Sequence, residues 1–522
     1  LTEKPSAAEP QKITFKKSAF GVTLAGCPLE EKISEFQTLK AGGYPIGALA
    51  TICVDNPMVA ATGHRICNDC MKSCIYQKTD PVDIPQSETR LLKDVLALPW
   101  GFEIYGLLTR WNPLNLRRSL PAPTTGKRVL VVGMGPAGFT LAHHLLNDGH
   151  TVVGIDGLKI EPLPPSISGV TTSGDRVPFV PIRDVATLTE PLDDRVMAGF
   201  GGVAEYGITV RWDKNFLKLL RLLIERRDRF AMHGGVRFGG TLDADGAFEL
   251  GFDHVAVAAG AGRPTVLELP NGLAQGVRTA SDFLMALQLT GAAKKDSLAN
   301  MQVRLPVVVV GGGLTAIDTA TESLAYYPVQ VEKFLARYET LVAEKGRAAV
   351  ESAWTAVERT IAEEFLSHAR AIRAEREAAA SECRAPRIVE LLQQWGGATI
   401  AYRRRLIDSP SYTLNHEEVE KALEEGIRFG ENLSPSEIVV DANGLTQAIR
   451  FKRGEGDEVE LPARAVLVAA GTKPNTVLAR EDHDNFGVDG CYFQAVDEEG
   501  APARPERLAK PAAVRVLQQF RP

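Results

Sequence analysis

The chain has 522 residues, of which 44% are hydrophobic and 24% are charged, and this balance is typical of a soluble globular protein with two or three domains. The net charge of -6 argues against nucleic acid as a partner, because proteins that bind nucleic acid present a basic surface. No apolar run approaches the roughly 20 residues needed to span a bilayer, so we expect a cytoplasmic protein without membrane insertion.

The first segment, residues 1–26, is rich in Ala, Pro, Lys and Glu and predicts a flexible tail. It contains no cysteine. The sequence does not begin with Met, so we expect that it belongs to a longer gene product.

Residues 27–112 predict a small, mostly helical domain that contains grouped cysteines. Cys67, Cys70 and Cys74 have the spacing CxxCxxxC, which brings three thiolates to one face of a turn, and Cys27 could complete a tetrahedral set. Such thiolates suit an iron-sulfur cluster or zinc, and Cys67 with Cys70 could instead form a redox-active disulfide. We favour the cluster, because zinc sites usually combine two separate knuckles and this chain has one.

Residues 129–156 predict a strand, a glycine-rich turn, a helix and a second strand that ends in an acid. The first glycine allows a tight turn, the second lets a pyrophosphate approach the backbone, and the third lets the helix pack on the sheet. The acid that follows the second strand can accept hydrogen bonds from ribose hydroxyls. The pattern predicts a nucleotide site in a domain at residues 127–297. Its residues are Gly133, Gly135, Pro136, Ala137, Gly138 and Asp156.

A second glycine-rich turn follows the apolar run Val307–Val310 and predicts another dinucleotide domain at residues 298–472. Two such sites in one chain suggest a bound flavin and an exchanging nicotinamide. Alanine replaces the third glycine, which the fingerprint tolerates. The residues assigned to this site are Gly311, Gly313, Thr315 and Ala316.

The second domain also contains a segment rich in Ala, Glu and Arg. We predict a short second strand at 329–334, a helical insertion at 335–393 and a further strand at 398–402. An apolar stripe on the insertion favours packing against its own domain over docking of a partner. A basic amphipathic helix at 216–227 is expected to point its charges into solvent.

The order of these motifs resembles the small (beta) subunit of NADPH-dependent glutamate synthase. This module is shared with the N-terminal half of dihydropyrimidine dehydrogenase and with NADH-dependent ferredoxin:NADP reductase. The resemblance implies an α/β fold with two Rossmann-like domains, for FAD and NADPH, preceded by a small helical iron-sulfur domain. The matching motifs are Cys27-Pro28-Leu29, Asp55-Asn56-Pro57, the cysteine run, both glycine turns, Gly201 to Ile208, Tyr402-Arg403-Arg404 and Ala469 to Asn475.

The resemblance also implies roles for single residues. Gly202 and Tyr206 would lie near the flavin ring. One [4Fe-4S] cluster would be held by Cys27, Cys67, Cys70 and a fourth ligand, for which we favour Cys74 over Glu88 because thiolate binds iron more strongly than carboxylate. Family members hold a second cluster, but residues 1–26 lack the cysteines for it.

The nicotinamide is expected to be NADPH, because Arg403 and Arg404 follow the strand at 398–402 and offer planar donors to a 2′-phosphate. The alternative is an NAD site in which Glu332, near the end of the strand at 329–334, accepts the ribose hydroxyl.

The implied activity is electron transfer from NADPH through FAD and the cluster to a protein subunit or domain, in a hetero-oligomer. No catalytic acid, base or nucleophile is required, and we assign none. A self-contained diaphorase and a non-catalytic scaffold are the alternatives. Residues 473–522 return to the flavin domain but lack the family's closing Gly-Asp motif, so we expect a fragment that binds FAD weakly by itself.

Overall fold

The computed structural model describes residues 26–27, 29–62, 69–74, 76, 81–201, 214–454 and 456–503. The tail at 1–25 and the predicted site residues Cys67, Gly202 and Tyr206 lie outside these ranges. Within them, no helix combines the length and the apolar character needed to cross a membrane.

The N-terminal layer is helical, as the sequence predicts. Asp83 caps one helix by accepting a hydrogen bond from the backbone N–H of Gln86 at 3.1 Å. The hydroxyl of Tyr105 donates to the carbonyl of Pro57 at 2.8 Å and so ties the last helix of the layer to the middle of the domain. The helices are α1 (Ile33–Ala41), α2 (Pro45–Asp55), α3 (Val59–Thr62), α4 (Asp69–Lys72), α5 (Ile84–Leu96) and α6 (Gly101–Leu108).

The first nucleotide domain has a parallel four-stranded sheet with the order β3-β2-β1-β4. One hydrophobic core joins this sheet to the helical layer, because Leu91, Phe102 and Phe139 belong to the same buried cluster. The elements are β1 (Arg128–Val132), α7 (Pro136–Asn147), β2 (Thr151–Ile155), α8 (Pro165–Ser168), a 3-10 turn (Val185–Leu188), α9 (Phe216–Glu225), β3 (Phe230–His233), α10 (Ala244–Glu249), β4 (His254–Val257) and β5 (Arg263–Pro264).

The second nucleotide domain has a parallel five-stranded sheet with the order β6-β13-β7-β8-β9, beside an antiparallel sheet β10-β11-β12. Its first strand, β6, lies ahead of the expected boundary at residue 298. The elements are β6 (Val277–Thr279), α11 (Ala280–Thr290), β7 (Val307–Val310), α12 (Leu314–Lys345), α13 (Arg347–Glu351), α14 (Ala356–Ser381), α15 (Ile388–Gln394), β8 (Ala398–Ala401), a 3-10 turn (Leu406–Asp408), α16 (Pro410–Glu424), β9 (Arg428–Gly430), β10 (Ser434–Val440), β11 (Thr446–Arg453), β12 (Asp457–Pro462) and β13 (Ala465–Val468).

The remaining elements return to the first domain. Leu478, Phe486 and Phe493 pack with Phe238 of that domain in one apolar cluster. These elements are β14 (Thr472–Lys473), which pairs with β5, α17 (Leu478–Glu481), β15 (Val488–Asp489) and β16 (Tyr492–Phe493).

The strand predicted at 329–334 is wrong, because these residues lie inside α12. Four buried residues recur at helical spacing on one face of α12, and the burial of this face favours a helix over a strand. They are Tyr327, Val331, Leu335 and Tyr338. The strand that follows β7 in the chain is β8, so the inserted helices lie in the crossover between β7 and β8. The apolar side of α14, with Ile361 and others, packs in the same core as α12.

The expectation of a solvated basic face on α9 is also wrong. Its basic side chains are buried because each has polar partners: Lys218 donates to the carbonyl of Leu188 at 2.9 Å, and Arg221 pairs with Glu225 at 2.8 Å. Beyond the end of the helix, Arg226 pairs with Glu103 at 2.9 Å. The buried basic residues of this segment are Lys218, Arg221, Arg226 and Arg227.

Candidate dinucleotide sites

The turn after β1 requires glycine at two positions. Gly133 has a φ of +93°, and a Cβ there would lie 2.6 Å from the carbonyl oxygen of Ala258. A Cβ on Gly138 would overlap the carbonyl oxygen of Gly133, so a side chain would break the contact between turn and helix. Both requirements come from the protein itself and are independent of any ligand.

Gly135 differs from these two glycines. It precedes α7, its φ is -73°, and a Cβ there would make only an ordinary contact of 3.4 Å with the carbonyl of Gly201. Pro136 is the first residue of the helix, where its missing N–H costs nothing, and Ala137 beside it is exposed. The helix N-terminus can therefore accept a pyrophosphate, whose negative charge the helix dipole stabilises.

Asp156 stands directly after β2 and faces the same turn. Its carboxylate accepts hydrogen bonds from the backbone N–H of Met134 at 2.8 Å and of Leu158 at 3.0 Å. Burial raises the pKa of Asp156, while these backbone donors favour the charged form and act in the opposite direction. The structure thus brings together the acid and the turn that the sequence predicted.

The second turn repeats this arrangement between β7 and α12. A Cβ on Gly311 would overlap the carbonyl of Ala469, whereas Gly313, which precedes the helix, has open space beside it. Ala316 is buried in the position of the third glycine, and Thr315 is exposed at the helix start. Gly313 is therefore the position at which a second pyrophosphate can approach the backbone.

Gly312 and Tyr402 form a contact that was not predicted from the sequence. A Cβ on Gly312 would overlap the ring of Tyr402, which follows β8. The backbone N–H of Ser411, at the start of α16, donates to the carbonyl of Gly312 at 3.0 Å. The Ser409-Pro410 pair is a helix-start signal that could have placed α16 at this site.

Arg403 and Arg404 follow Tyr402 and are exposed at this edge of the site. The next arginine, Arg405, pairs with Asp408 at 2.8 Å, whereas neither Arg403 nor Arg404 forms an ion pair with any described residue. Two guanidinium groups are thus available next to the second turn.

Glu332 cannot play the role of an NAD-type acid. It lies on α12 away from the end of any strand, and its carboxylate pairs with the guanidinium of Arg376 at 2.9 Å. The alternative that depended on a strand at 329–334 is therefore wrong.

The cysteine segment is described in part. The backbone N–H of Gly26 donates to Ser73 at 2.8 Å, which brings the chain around Cys27 close to the chain around Cys74. The N–H of Tyr76 donates to the sulfur of Cys74 at 3.5 Å. In the described ranges, no three His, Cys, Asp or Glu side chains are grouped to hold a metal, and Cys67 lies outside those ranges. The described side chains alone therefore do not form a cluster site.

Glu88, the alternative fourth ligand, is 5% exposed inside the helical layer. Burial, together with the adjacent carboxylate of Glu31, raises the pKa of Glu88 well above its usual range. The choice between Cys74 and Glu88 as the fourth ligand stays a prediction from the sequence.

Comparison with known proteins agrees with this geometry. Residues 127–354 match the family model described as pyridine nucleotide-disulphide oxidoreductase. This match includes both glycine turns and supports an NAD(P)H-dependent oxidoreductase that binds FAD and NAD(P)H.

Two of the curated relatives differ in how similar they are to this chain. The chain is 44% identical over 461 residues to an uncharacterized protein of Rickettsia prowazekii, covering 84% of this chain and 61% of that protein. It is 26% identical to the glutamate synthase [NADPH] small chain of Bacillus subtilis, covering 59% of this chain and 52% of that one. The relationship to glutamate synthase small subunits is therefore distant, and the chain spans little more than half the length of these relatives.

Solved structures add little to this comparison. The thioredoxin reductase of T. acidophilum is 14% identical, with a TM-score of 0.36, over 74% of this chain and 93% of that one. A score of this size does not bear on function.

Proposed function

We propose that this chain passes electrons from NADPH to a bound FAD and onward to a protein partner. The observation that carries the proposal is the pair of glycine-rich turns, each placed between a parallel strand and a helix N-terminus. At Gly135 and Gly313, each the N-cap of the helix that follows its turn, a side chain would meet no obstacle in the protein. Their lack of a Cβ is explained by a ligand that approaches the backbone there.

The residues of the chain bind and orient the nucleotides. The N-terminus of α7 would hold the FAD pyrophosphate, and Asp156 would accept hydrogen bonds from the ribose while it keeps its bond with Met134. When bound, FAD supplies the step that accepts a hydride and can release electrons singly. No side chain needs to act as an acid or base in this transfer.

The choice of NADPH rests on Arg403 and Arg404. Guanidinium groups suit bidentate contact with a phosphate, and both are exposed in the second domain. The ribose 2′-phosphate distinguishes NADPH from NADH, so these residues would set the preference.

A cluster at Cys27, Cys67, Cys70 and Cys74 remains part of the proposal as a second electron carrier. It is supported by the grouped cysteines and by the approach of the two segments at Gly26 and Ser73. The acceptor would be a separate subunit or domain in a hetero-oligomer, as the resemblance to the glutamate synthase small chain suggests. A reducing compartment such as the cytoplasm would keep these thiols available.

The test is to purify the protein without oxygen, measure FAD binding by equilibrium dialysis and titrate with NADPH at an FAD concentration that saturates the site. The proposal predicts that the protein binds FAD and that NADPH bleaches the flavin absorbance faster than in FAD solution without the protein. If an accepting protein that copurifies does not take up the electrons while quinones or dyes do, the chain is a diaphorase. A colourless protein that does not bind FAD would support a scaffold and contradict the proposal.

A further inference from the structure

One side of α12 presents polar residues that are spaced along a single helical face. The successive spacings are four, four, three and four residues, which place side chains one above another. We call this set the polar face of α12. Four members are buried and the last is half-buried: Glu322, Tyr326, Gln330, Lys333 and Arg337.

The polar face of α12 forms hydrogen bonds with the connector. We define the connector as residues 291–305, between α11 and β7. The hydroxyl of Tyr326 accepts a hydrogen bond from the N–H of Met301 at 3.0 Å. Gln330 bonds both the N–H and the carbonyl of Val303, at 2.9 and 2.8 Å. The ammonium of Lys333 donates to several connector carbonyls, among them that of Ala292 at 2.6 Å.

The same connector reaches the first nucleotide domain. The ammonium of Lys294 pairs with the carboxylate of Glu161 at 2.6 Å, and Lys295 pairs with Asp193 at 3.0 Å. Each contact joins the connector, which α12 holds, to a loop of the first domain. The position of α12 relative to that domain is therefore fixed by charge-assisted bonds.

Glu322 extends this arrangement by a direct contact. Its carboxylate pairs with the ammonium of Lys214 at 2.8 Å, and the side chains are 7% and 10% exposed. Lys214 precedes α9 of the first domain, and Glu322 lies on the helix that starts at the second turn. The pair therefore links the first domain directly to the helix of the second predicted nucleotide site.

The carboxyl group of Glu425 is a third ionisable group close to this pair. Burial and the charge of Glu322 raise the pKa of Glu425 to about 7. Removing the ammonium of Lys214 would take a cation away from this buried pair of carboxyls, which is unfavourable. Both Lys214 and Glu322 therefore contribute to the contact.

We propose that Lys214 and Glu322 are positioning residues that hold the nicotinamide site at the correct distance from the flavin site. This inference rests on the proposed function, because it concerns the rate of electron transfer between those two sites. Small displacements of reacting groups lower rates strongly, by about a hundredfold for 1 Å. The pair would therefore influence the transfer step without touching either nucleotide.

The experiment measures three quantities in FAD-loaded protein: FAD content, the dissociation constant for NADPH and the limiting rate of flavin reduction in anaerobic stopped flow. Glu322→Gln and Lys214→Met should each lower the limiting rate by about tenfold with little change in the other two quantities. The exchanged double variant, Lys214→Glu with Glu322→Lys, should recover most of the rate.

Glu339→Gln is the matched control, because Glu339 lies on the same helix in an exposed pair with Arg373 at 2.9 Å. It should leave all three quantities unchanged. Unchanged rates in Glu322→Gln and Lys214→Met would overturn the inference, and so would a rate loss that merely follows loss of FAD or a lower melting temperature. If the unmodified protein is not reduced at all, the proposed function fails instead.

Discussion

The carboxylate of Asp156 accepts a hydrogen bond from the backbone N–H of Met134 at 2.8 Å. This bond links the end of β2 to the glycine-rich turn after β1, so the turn is held in shape by the protein itself. A site prepared in this way loses less freedom when a nucleotide binds. The acid thus has a structural partner in addition to the ribose that we assign to it.

The first prediction concerns Gly135. Gly135→Ala should fold normally, because its Cβ would make only an ordinary contact with Gly201, but it should weaken FAD binding by about tenfold or more by blocking the pyrophosphate. Thermal unfolding and equilibrium dialysis with FAD measure the two effects.

Gly157→Ala is the control for this prediction, because a Cβ there meets nothing within 4 Å. It should bind FAD like the unmodified protein. Equal FAD affinity in Gly135→Ala would show that the cofactor does not approach this turn.

The second prediction concerns Arg403 and Arg404. The double substitution by Ala should raise the KM for NADPH by about tenfold, or about 1.4 kcal/mol, with little effect on NADH, because only NADPH carries the 2′-phosphate. Steady-state kinetics with both cofactors measure the change.

Arg405→Ala provides the comparison, since Arg405 is already paired with Asp408. It should change the preference for NADPH less than the double substitution does. Equal use of NADPH and NADH by the unmodified protein would remove the role that we assign to the arginines.

The third prediction concerns the grouped cysteines. Cys70→Ser should remove most of the iron and acid-labile sulfide from anaerobically prepared protein and should destabilise the helical layer. Cys383→Ser, at an exposed position far along the chain, should leave both contents unchanged. Zinc without iron in the unmodified protein would contradict the cluster.

The fourth prediction concerns Glu88 and pH. Its raised pKa means that folded protein keeps a proton which the unfolded chain releases above about pH 4.5. The free energy of unfolding therefore falls as pH rises above about 4.5, by no more than about 1.4 kcal/mol per pH unit. Glu88→Gln should remove this loss, so its stability relative to the unmodified protein should grow between pH 5 and pH 8 in urea unfolding. Its iron content should not change if Cys74 is the fourth ligand.

Local rules explain which parts of the fold the sequence predicted. Residues 129–156 were predicted to form a strand, a turn, a helix and a second strand, and β1, α7 and β2 follow in that order. The constraint on Gly138 acts within a few residues, because its Cβ would overlap the carbonyl oxygen of Gly133, so it can be read without knowledge of distant contacts. The same holds for Asp156, which follows β2 directly.

Distant contacts explain what was not predicted. Residues 329–334 have the β-branched and aromatic composition of a strand, but the neighbouring helices cover Val331 and Leu335 on a helical face. The basic residues at 216–227 were assigned to solvent because several of their partners, such as Glu103 for Arg226, lie far away in the sequence. The close approach of the Tyr402 ring to Gly312 likewise involves residues that are far apart in the sequence and that the folded sheet brings together.

The most direct test of the account is the anaerobic addition of one equivalent of NADPH to FAD-loaded protein in stopped flow, with NADH in a parallel experiment. The account predicts that NADPH bleaches the flavin absorbance and does so at least about tenfold faster than NADH at equal concentration. Flavin absorbance that stays unchanged with both nucleotides, in protein that retains FAD, would contradict it.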